Sequence, residues 1–222
     1  MNLRAFYREF GLELIPAAME SLTFGKCVWD GGWFDKPSFN RKGMPNYIYN
    51  AFVDKNIITI DECDAILERF RAVPKLDAKL ANKTIELEIE DALELNIKDH
   101  LEINADFDLK RVKSFTITDS MGKEMPNRDL ILLDDMLEQI KDNHWDDYKK
   151  GLRRAYLIKE LYYGKIEITI DTDFELNFEA SIPNSKLDAS NKFKLGKTIT
   201  YKFESSNVPF AMRLERIKHF NN

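Results

Sequence analysis

The sequence predicts an α+β fold in which helices flank a central, twisted antiparallel β-sheet. Three observations predict it: apolar and polar residues alternate over 84–119, they alternate again over 164–203, and helical periodicity is confined to short segments elsewhere. Strict alternation indicates extended strands, because successive side chains of a strand point to opposite faces. Each alternating stretch is long enough to fold back on itself, so the sequence predicts two long amphipathic β-hairpins.

The first predicted hairpin covers 84–119 and turns near Lys98-Asp99-His100. Eleven of the thirteen odd-numbered residues from 85 to 109 are apolar, and the even-numbered residues between them are polar except for Ala92. A helix would scatter these apolar residues around its circumference, so the pattern favours strands. The apolar positions are Ile85, Leu87, Ile89, Leu93, Leu95, Ile97, Leu101, Ile103, Ala105, Phe107 and Leu109.

The second predicted hairpin covers 164–203 and turns near Pro183-Asn184-Ser185. The even positions of its first arm are apolar except for Thr172, and the odd positions between them are polar. A return arm over 192–203 alternates in the same way. The apolar positions of the first arm are Ile166, Ile168, Ile170, Phe174, Leu176, Phe178, Ala180 and Ile182.

Size and composition fit a soluble globular protein. The 222 residues predict one domain, or at most two, and we treat 1–222 as a single domain. The net charge of −5 argues against nucleic acid as a partner. There is no apolar run long enough for a transmembrane helix and no apolar segment typical of a secretory signal. Cys27 and Cys63 lie in no paired motif, which suits a reducing compartment, so we expect the soluble protein in the cytoplasm.

Local patterns place shorter elements around the hairpins. Phe6 and Phe10 share one face of a first amphipathic helix, because they are four residues apart. The elements predicted before the first hairpin are a helix over 2–10 that ends at Gly11, strands over 12–16 and 23–29, an ordered loop over 30–45, a helix opened by Pro45 and a helix capped by Asp61. Those predicted after it are a helix over 130–145 with Leu133, Leu137 and Ile140 inward, a basic cluster within 146–159 and a last strand over 208–217.

The sequence lacks the motifs of common catalytic and metal sites. It has no glycine-rich phosphate loop, no nucleophile elbow and no Cys or His pair at metal-ligand spacing. The three histidines are far apart, and the run 142–147 lacks the central glycine of a calcium loop. Carboxylates at every second strand position describe a wetted face and not an acid and a base in a dry pocket. We therefore expect no enzyme activity, no cofactor and no metal.

The length of the predicted arms bears on function. Alternation by itself fits a soluble antiparallel sheet with one face on the core and one in water, as in a binding or scaffold module. However, globular strands usually run about 5–6 residues, and these arms alternate for about 10–14. A tilted membrane-spanning strand needs about 9–11 residues. The hairpins therefore have the length to form a transmembrane β-barrel when several copies assemble.

In such a barrel one face of each hairpin contacts lipid and the other lines a wet lumen. The lipid-facing residues would be Ile85, Leu87, Ile89, Leu93, Leu95, Ile97, Leu101, Ile103, Phe107, Leu109, Ile166, Ile168, Ile170, Phe174, Leu176, Phe178 and Ile182. The pore-lining residues would be Glu86, Glu88, Glu94, Glu102, Asp106, Glu167, Asp171, Asp173, Glu175 and Glu179. Asp91 is an exception, because its position falls on the lipid-facing side.

Basic residues would bring an acidic protein to an anionic membrane. Each Lys or Arg near an anionic leaflet contributes about 1 kcal/mol. The candidate lipid-binding residues are Arg4, Arg8, Arg111, Lys113, Lys149, Lys150, Arg153 and Arg154. The same residues are equally typical of a solvated helix face, and the sequence leaves both interpretations open.

An ordered set of landmarks resembles the pore-forming domain of the gasdermins, especially their small bacterial and early-branching members. The landmarks are the N-terminal helix followed by GLELIPA, the aromatic stretch KCVWDGGWFDKPSFNRKGMPNYIYNAFV, the first hairpin, the segment YKKGLRRAYLIKELYYGKIEITI that enters the second, and GKTITYKFESSNVPFAMRLERI. The resemblance implies a soluble, autoinhibited protein that binds acidic lipids, assembles into a homo-oligomer and refolds both hairpins into a large barrel in the cell membrane. It implies cell death as the outcome, as in immune or antiphage defence.

The resemblance also implies control of the release step. Members of the family are usually held inactive by a C-terminal domain or tail that a protease removes, and about a dozen residues follow Pro209 here. An activated fragment, a form held by a short tail and a form held by a regulatory partner all stay open. Bacterial members often carry a lipid-modified cysteine near the N-terminus, and Cys27 is the nearest cysteine in this chain.

Overall fold

The structure, a computed structural model, describes residues 3–15, 22–29, 47–77, 80, 83–87, 111–181, 192–203 and 209–220. Over these residues the chain has an α+β fold with a large antiparallel sheet and several helices, which confirms the predicted fold class. The strand order along the main path of the sheet is β1-β9-β6-β5-β3, where β1 is Glu13–Leu14, β3 Leu76–Asp77, β5 Val112–Glu124, β6 Ala155–Asp171 and β9 Ala211–Arg216.

The remaining elements are shorter. The other strands are β2 (Cys27–Trp29), β4 (Ile85–Leu87), β7 (Lys192–Leu195) and β8 (Thr198–Phe203). The helices are α1 (Leu3–Phe10), α2 (Ile48–Asp54), α3 (Ile60–Ala72), α4 (Asn127–Asn143), α5 (Trp145–Lys150) and α6 (Glu175–Ser181), with 3₁₀ turns over Leu152–Arg154, Thr172–Phe174 and Ile217–His219.

The chain divides into two compact units. Unit one comprises residues 1–20, 76–122 and 162–211, and unit two comprises 21–75, 123–161 and 212–222. Each is described by itself below.

Unit one contains the strands of both predicted hairpins. β4 pairs antiparallel with β5, with Ile85 opposite Ile117 and Leu87 opposite Phe115. β8 pairs antiparallel with β6, from Ile166 opposite Phe203 to Asp171 opposite Thr198. β7 pairs with the other edge of β8 across a tight turn at Gly196, whose φ of 59° is the left-handed conformation that glycine adopts without strain.

The core of unit one lies against one face of these strands. The alternation predicted from sequence puts the apolar side chains of β4, β6 and β8 on that face, where they are buried. Phe6 of α1 and Phe178 of α6 add two fully buried rings. The other buried members of this core are Leu12, Leu14, Leu80, Ile85, Leu87, Val112, Phe115, Ile117, Tyr162, Ile166, Ile168, Ile170, Ile199, Tyr201, Phe203, Phe210 and Ala211.

Unit two packs helices beside the first half of β6. β2 pairs antiparallel with that half, with Cys27 opposite Leu157. Phe24, Tyr49 and Phe70 form an aromatic cluster with edge-to-face contacts at centroid distances of 5.4 and 5.6 Å. The buried carboxylate of Asp129 accepts a hydrogen bond of 2.6 Å from Arg69. This ion pair offsets part of the free-energy cost of removing the carboxylate from water.

Several local predictions are confirmed. The first helix ends where Gly11 adopts a positive φ of 65° and its N–H donates to the carbonyl of Tyr7. Phe6 and Phe10 share a face with their ring centroids 4.9 Å apart. The inward side chains predicted for the long helix, Leu133, Leu137 and Ile140, are buried.

Other local predictions need correction. Thr59, and not Asp61, caps helix α3, because its hydroxyl accepts from the N–H of Glu62 while the Glu62 carboxylate accepts from the N–H of Thr59. The helix predicted over 130–145 spans 127–143 and is followed by a separate short helix. The helix predicted from Pro45 begins at Ile48, and Pro45 itself lies outside the described residues. The predicted loop over 30–45 lies outside them as well.

The first hairpin is described only at its base. The three residues of β4 and the first half of β5 pair as predicted, and β5 continues to Glu124, beyond the predicted end at Asp119. Residues 88–110, with the predicted turn, lie outside the described residues. They include residues predicted to face lipid, namely Ile89, Leu93, Leu95, Ile97, Leu101, Ile103, Phe107 and Leu109, and residues predicted to line the pore, namely Glu88, Glu94, Glu102 and Asp106.

The prediction of an unbroken first arm in the second hairpin is wrong for this form of the protein. The strand ends at Asp171, and residues 172–181 form a 3₁₀ turn and helix α6. The return arm is also divided, into β7 and β8. Phe174 and Phe178 are four residues apart, so the alternating pattern also provides an apolar helix face, and this face is the one that packs here. Ile182 and the predicted turn at 183–185 lie outside the described residues.

We predict that Gly164→Ala destabilises unit one. A Cβ atom at this position of β6 would lie 2.6 Å from Cγ2 of the buried Ile117 and 3.1 Å from the carbonyl oxygen of Thr118. The steric cost, on the order of 1–3 kcal/mol, exceeds the gain of about 0.4–1 kcal/mol from a stiffer unfolded chain. Urea unfolding should show a lower midpoint. An unchanged midpoint would contradict the close packing of β6 on β5.

Candidate functional site

The helical insert, defined as residues 172–181 between β6 and the return arm, is the candidate functional element of unit one. Its apolar face is attached to the sheet by two rings. Phe178 is fully buried, with its ring centroid 4.8 Å from that of Tyr201 on β8. Phe174 is half-buried, and the guanidinium of Arg111 lies 4.3 Å from its ring centroid.

The polar face of the helical insert is held by a carboxylate clamp, which consists of Glu175, Glu179, Lys192 and Tyr201. The ammonium of Lys192 donates to Glu175 and, at 2.7 Å, to Glu179. The hydroxyl of Tyr201 donates to the same Glu179 oxygen at 3.0 Å. The hydrogen bond from Lys192 lowers the pKa of Glu175, and the two carboxylates together raise the pKa of Lys192. The clamp therefore keeps Glu175 and Lys192 in their ionised forms at neutral pH.

Three large apolar side chains of the second hairpin are exposed. Leu176 on the outer side of α6 is 80% exposed, and Phe193 and Leu195 on β7 are 58% and 69% exposed. Single exposed apolar residues are normal on soluble proteins. These three, however, occupy the lipid-facing parity of the alternating pattern that the sequence shows on both sides of the predicted turn.

The register of the β6–β8 ladder continues toward the helical insert. Beyond the last paired residues, Asp171 and Thr198, the N–H of Thr172 still donates to the carbonyl of Lys197 at 2.9 Å. The same register, if continued, would set Phe174 opposite Leu195 and Leu176 opposite Phe193. It would place the turn at Asn184-Ser185, which agrees with the turn predicted from sequence.

The other predicted pore-lining residues of unit one lie on the polar side of the same strands. Glu167 pairs with Lys202 at 2.9 Å, and Asp171 pairs with Lys113. Glu86 and Asp173 are exposed. Between the two ion pairs, the hydroxyls of Thr169 and Thr200 are 2.9 Å apart. The described polar residues therefore form one hydrophilic face, as the alternation predicts.

The predicted lipid-facing residues divide into two groups. Those on the described strands, namely Ile85, Leu87, Ile166, Ile168 and Ile170, are buried in the core of unit one. Those on the helical insert differ among themselves, with Phe178 buried, Phe174 half-buried and Leu176 exposed. In this form the protein therefore hides most of the described apolar face from water.

The candidate lipid-binding residues occur in both units. In unit one Arg8 is exposed on α1, Arg111 covers the Phe174 ring and Lys113 pairs with Asp171, and Arg4 lies within α1. In unit two Lys149, Lys150, Arg153 and Arg154 are exposed over two consecutive helical turns. The basic surface of unit two is this second group, four exposed basic residues within six positions of the chain.

Trp145 belongs to this basic surface and was missed by sequence reasoning. It starts α5, is 49% exposed and stacks on Tyr148 with their centroids 5.8 Å apart. Tryptophan is enriched where protein meets the polar boundary of a membrane, because its ring is apolar and its N–H is not. The sequence signal that could have found it is its position four residues before Lys149, which places both residues on one helix face.

Unit two also has a cavity of about 840 Å³ between α2, α3 and α5. Its wall includes the apolar side chains of Val53, Leu67 and Leu152 and the thiol of Cys63. Burial raises the pKa of that thiol, so it stays protonated at neutral pH. An ion pair of 2.5 Å between Lys55 and Asp147 lies at its edge.

Two features, a metal-binding cluster and a membrane-spanning helix, are absent from the residues that the structure describes. Those residues contain no group of three or more His, Cys, Asp or Glu side chains placed to hold a metal ion. Among the helices that the structure describes, none has the length and apolar character needed to cross a membrane.

No family model matches the sequence, and no curated protein matches it.

We predict that acid releases the helical insert. Lys192 lowers the pKa of Glu175 from its ordinary value of 4.5, so the ionised carboxylate stabilises the closed form above that pH. This stabilisation is lost as the pH falls through the lowered pKa. An NMR titration from about pH 6 to about pH 3 should show the amide signals of residues 175–181 losing their helical shifts at the low end.

Lys192→Met is the matched control for this titration. It removes the ammonium but keeps a long apolar chain, and the pKa of Glu175 should then rise toward 4.5. An unchanged titration midpoint in Lys192→Met would contradict the clamp.

Proposed function

We propose that this chain is a pore-forming protein of the gasdermin kind, with membrane permeabilisation leading to cell death in immune or antiphage defence as its role. In this proposal it binds membranes that contain acidic lipids, oligomerises, and inserts two β-hairpins per subunit into a large transmembrane β-barrel. The observation that carries the proposal is the exposure of Leu176, Phe193 and Leu195, which would share the apolar face of the second hairpin if the β6–β8 register continued past Asp171 and Thr198.

Continuing the β6–β8 register through 172–197 produces two distinct faces. On one face Phe174 would stand opposite Leu195, and Leu176 opposite Phe193. On the other face Glu175 would stand opposite Lys194. Such matching of apolar with apolar and acid with base across two strands stabilises an antiparallel pair. Glu175 and Lys194 already pair in the closed form, at 3.7 Å, so the support for a second, extended form of the segment comes from the apolar matches.

The extended second hairpin would be long enough to cross a bilayer. Its first arm would run from Gly164 to Ile182, and a tilted spanning strand needs about 9–11 residues. Leu176, Phe193 and Leu195 would pass from water to lipid, at about 1.5–3 kcal/mol for each fully buried side chain. Unpaired backbone groups in hydrocarbon cost several kcal/mol each, so the arms need neighbouring copies on both sides. This requirement explains why insertion must accompany oligomerisation.

The register of the first hairpin, continued in the same way, would centre its turn on Leu101, two residues beyond the middle of the predicted turn. Continued inward from Leu87 opposite Phe115, it would set Leu93 opposite Leu109 and Leu95 opposite Phe107. The same register would set Asp91, the exception on the lipid-facing side, opposite Arg111. A carboxylate beside a guanidinium costs less in a membrane than a carboxylate alone.

The basic surface of unit two supplies the attraction to acidic lipids in this proposal. Lys149, Lys150, Arg153 and Arg154 are exposed, and about 1 kcal/mol per basic residue near an anionic leaflet is enough to concentrate an acidic protein there. Trp145 would rest at the level of the lipid headgroups. In this proposal unit two binds the surface of the membrane, and the hairpins of unit one insert into it.

A second candidate function is a soluble α+β binding or scaffold module. It is favoured by one observation, which is that Ile85, Leu87, Ile166, Ile168 and Ile170 are buried in an ordinary core. The two candidates differ in their predictions for apolar residues that lie on the alternating pattern and yet are exposed.

We predict that the protein releases a trapped dye from vesicles that contain acidic lipid and that Leu176→Asp abolishes this leakage. Leu176 is 80% exposed, so the substitution changes the stability of the soluble form little. In the barrel it would place a carboxylate against lipid in every subunit, at a cost per copy below the roughly 2–4 kcal/mol of a basic side chain at the bilayer midplane. Dye release and thermal unfolding of the same preparations measure the two effects separately.

Ile131→Asp is the matched control. Ile131 is 62% exposed on α4 and belongs to neither hairpin in the sequence, so the substitution should leave leakage unchanged. Intact vesicles with both the full chain and proteolytically trimmed forms would overturn the proposed function. Equal leakage by Leu176→Asp and the unchanged protein would do so as well.

A further inference from the structure

The closed and extended forms of the second hairpin can be compared contact by contact. Only a contact that exists in one form and not in the other shifts the balance between them. The ion pairs of Lys192 do not shift the balance, because they can form in both conformations. In the extended register Lys192 would stand opposite Asn177, with Glu175 and Glu179 as its two diagonal neighbours on the same polar face. Its ion pairs therefore have counterparts in both forms.

The hydrogen bond of Tyr201 differs between the two forms. In the extended ladder the Tyr201 ring would lie on the apolar face, whereas its present partner, Glu179, would lie on the polar face. Tyr201 stands opposite Ile168 in the β6–β8 ladder, and its side chain is buried on the apolar side. Glu179 has the parity of the polar side. The hydrogen bond of 3.0 Å from the Tyr201 hydroxyl to Glu179 exists only because α6 turns that carboxylate back over β8. An extended ladder separates the two groups across the sheet.

We infer that the hydrogen bond from Tyr201 to Glu179, seated on the contact between the Tyr201 and Phe178 rings, is an internal latch that holds the hairpin in its closed form. This inference rests on the proposed function, since it assigns the regulation of the same segment. The latch lies wholly within unit one, so it acts in addition to any control from a tail, a protease or a partner.

The surroundings of Tyr201 keep its hydroxyl protonated, so that it can always donate to Glu179. Burial, reinforced by the hydrogen bond to Glu179, raises the pKa of Tyr201, so the hydroxyl keeps its proton at physiological pH. Glu179 accepts from Tyr201 and from Lys192 through one oxygen, which keeps the carboxylate in place. The latch is therefore opened by moving the helix, and a membrane opens it by binding the extended form.

Tyr201→Phe tests the latch, because it removes the hydroxyl and keeps the ring that packs on Phe178. Hydrogen exchange in solution, without lipid, should show residues 175–181 losing protection roughly ten-fold or more, as expected for a lost hydrogen bond to a charged group. Leakage from acidic vesicles should become faster. Tyr7→Phe, which removes an exposed hydroxyl from α1, should change neither quantity. Glu179→Gln leaves a weaker, neutral acceptor. Its exchange and leakage should therefore fall between those of Tyr7→Phe and those of Tyr201→Phe.

The outcomes separate the latch from the proposed function. Unchanged exchange of 175–181 in both Tyr201→Phe and Glu179→Gln overturns the latch, and pore formation then stands or falls on the vesicle experiment alone. Increased exchange with intact vesicles in every variant supports the latch and overturns the pore. If Tyr201→Phe loosens the whole of unit one, exchange will rise in α1 as well as in α6. That result would also overturn the latch, because the hydroxyl would then stabilise the fold in general.

Discussion

The register between β6 and β8 constrains everything else in the second hairpin. It is fixed by six paired residues, from Ile166 opposite Phe203 to Asp171 opposite Thr198, and by the burial of alternate side chains in the core of unit one. A slip by one residue would turn every apolar side chain of the strand to the wrong face. Any further pairing that grows outward from this ladder must therefore keep the same register, whichever conformation the next residues adopt.

The helical insert shows how one sequence satisfies two periodicities. In a helix, Phe174 and Phe178 share a face, and Glu175 and Glu179 share another, because residues four apart are neighbours. In a strand, the phenylalanines again share one face and the glutamates the other, because each pair is four residues apart and the two pairs are offset by one residue. Leu176 distinguishes the two conformations, since it joins the phenylalanines in a strand and points to water in the helix. A helix that covers the core and exposes Leu176 is thus compatible with a strand that presents all three side chains to lipid.

Sequence alternation was sufficient to predict the antiparallel sheet and the buried face of β4, β6 and β8, and helical periodicity was sufficient to predict the inward side chains of α4. It could not predict the helical insert, because an even spacing of four satisfies both conformations and the choice depends on Tyr201, which is distant along the chain. It also misplaced the start of α3, where Thr59 and Asp61 are both good caps and only the reciprocal bonds with Glu62 decide between them. The basic residues of the candidate site were found by charge alone, whereas Trp145 became part of it only through its exposure.

The most direct measurement of the central claim is disulfide formation between cysteines placed across the extended register. In a chain whose buried Cys27 and Cys63 are replaced by alanine, the pair Leu176→Cys with Phe193→Cys should form a disulfide when acidic vesicles are added. The pair Leu176→Cys with Leu195→Cys should not, because a slip of two residues sets the Cα atoms beyond the roughly 7 Å that a disulfide spans. Cross-linking of the second pair, or of neither pair while the vesicles leak, would contradict a hairpin that extends in the β6–β8 register.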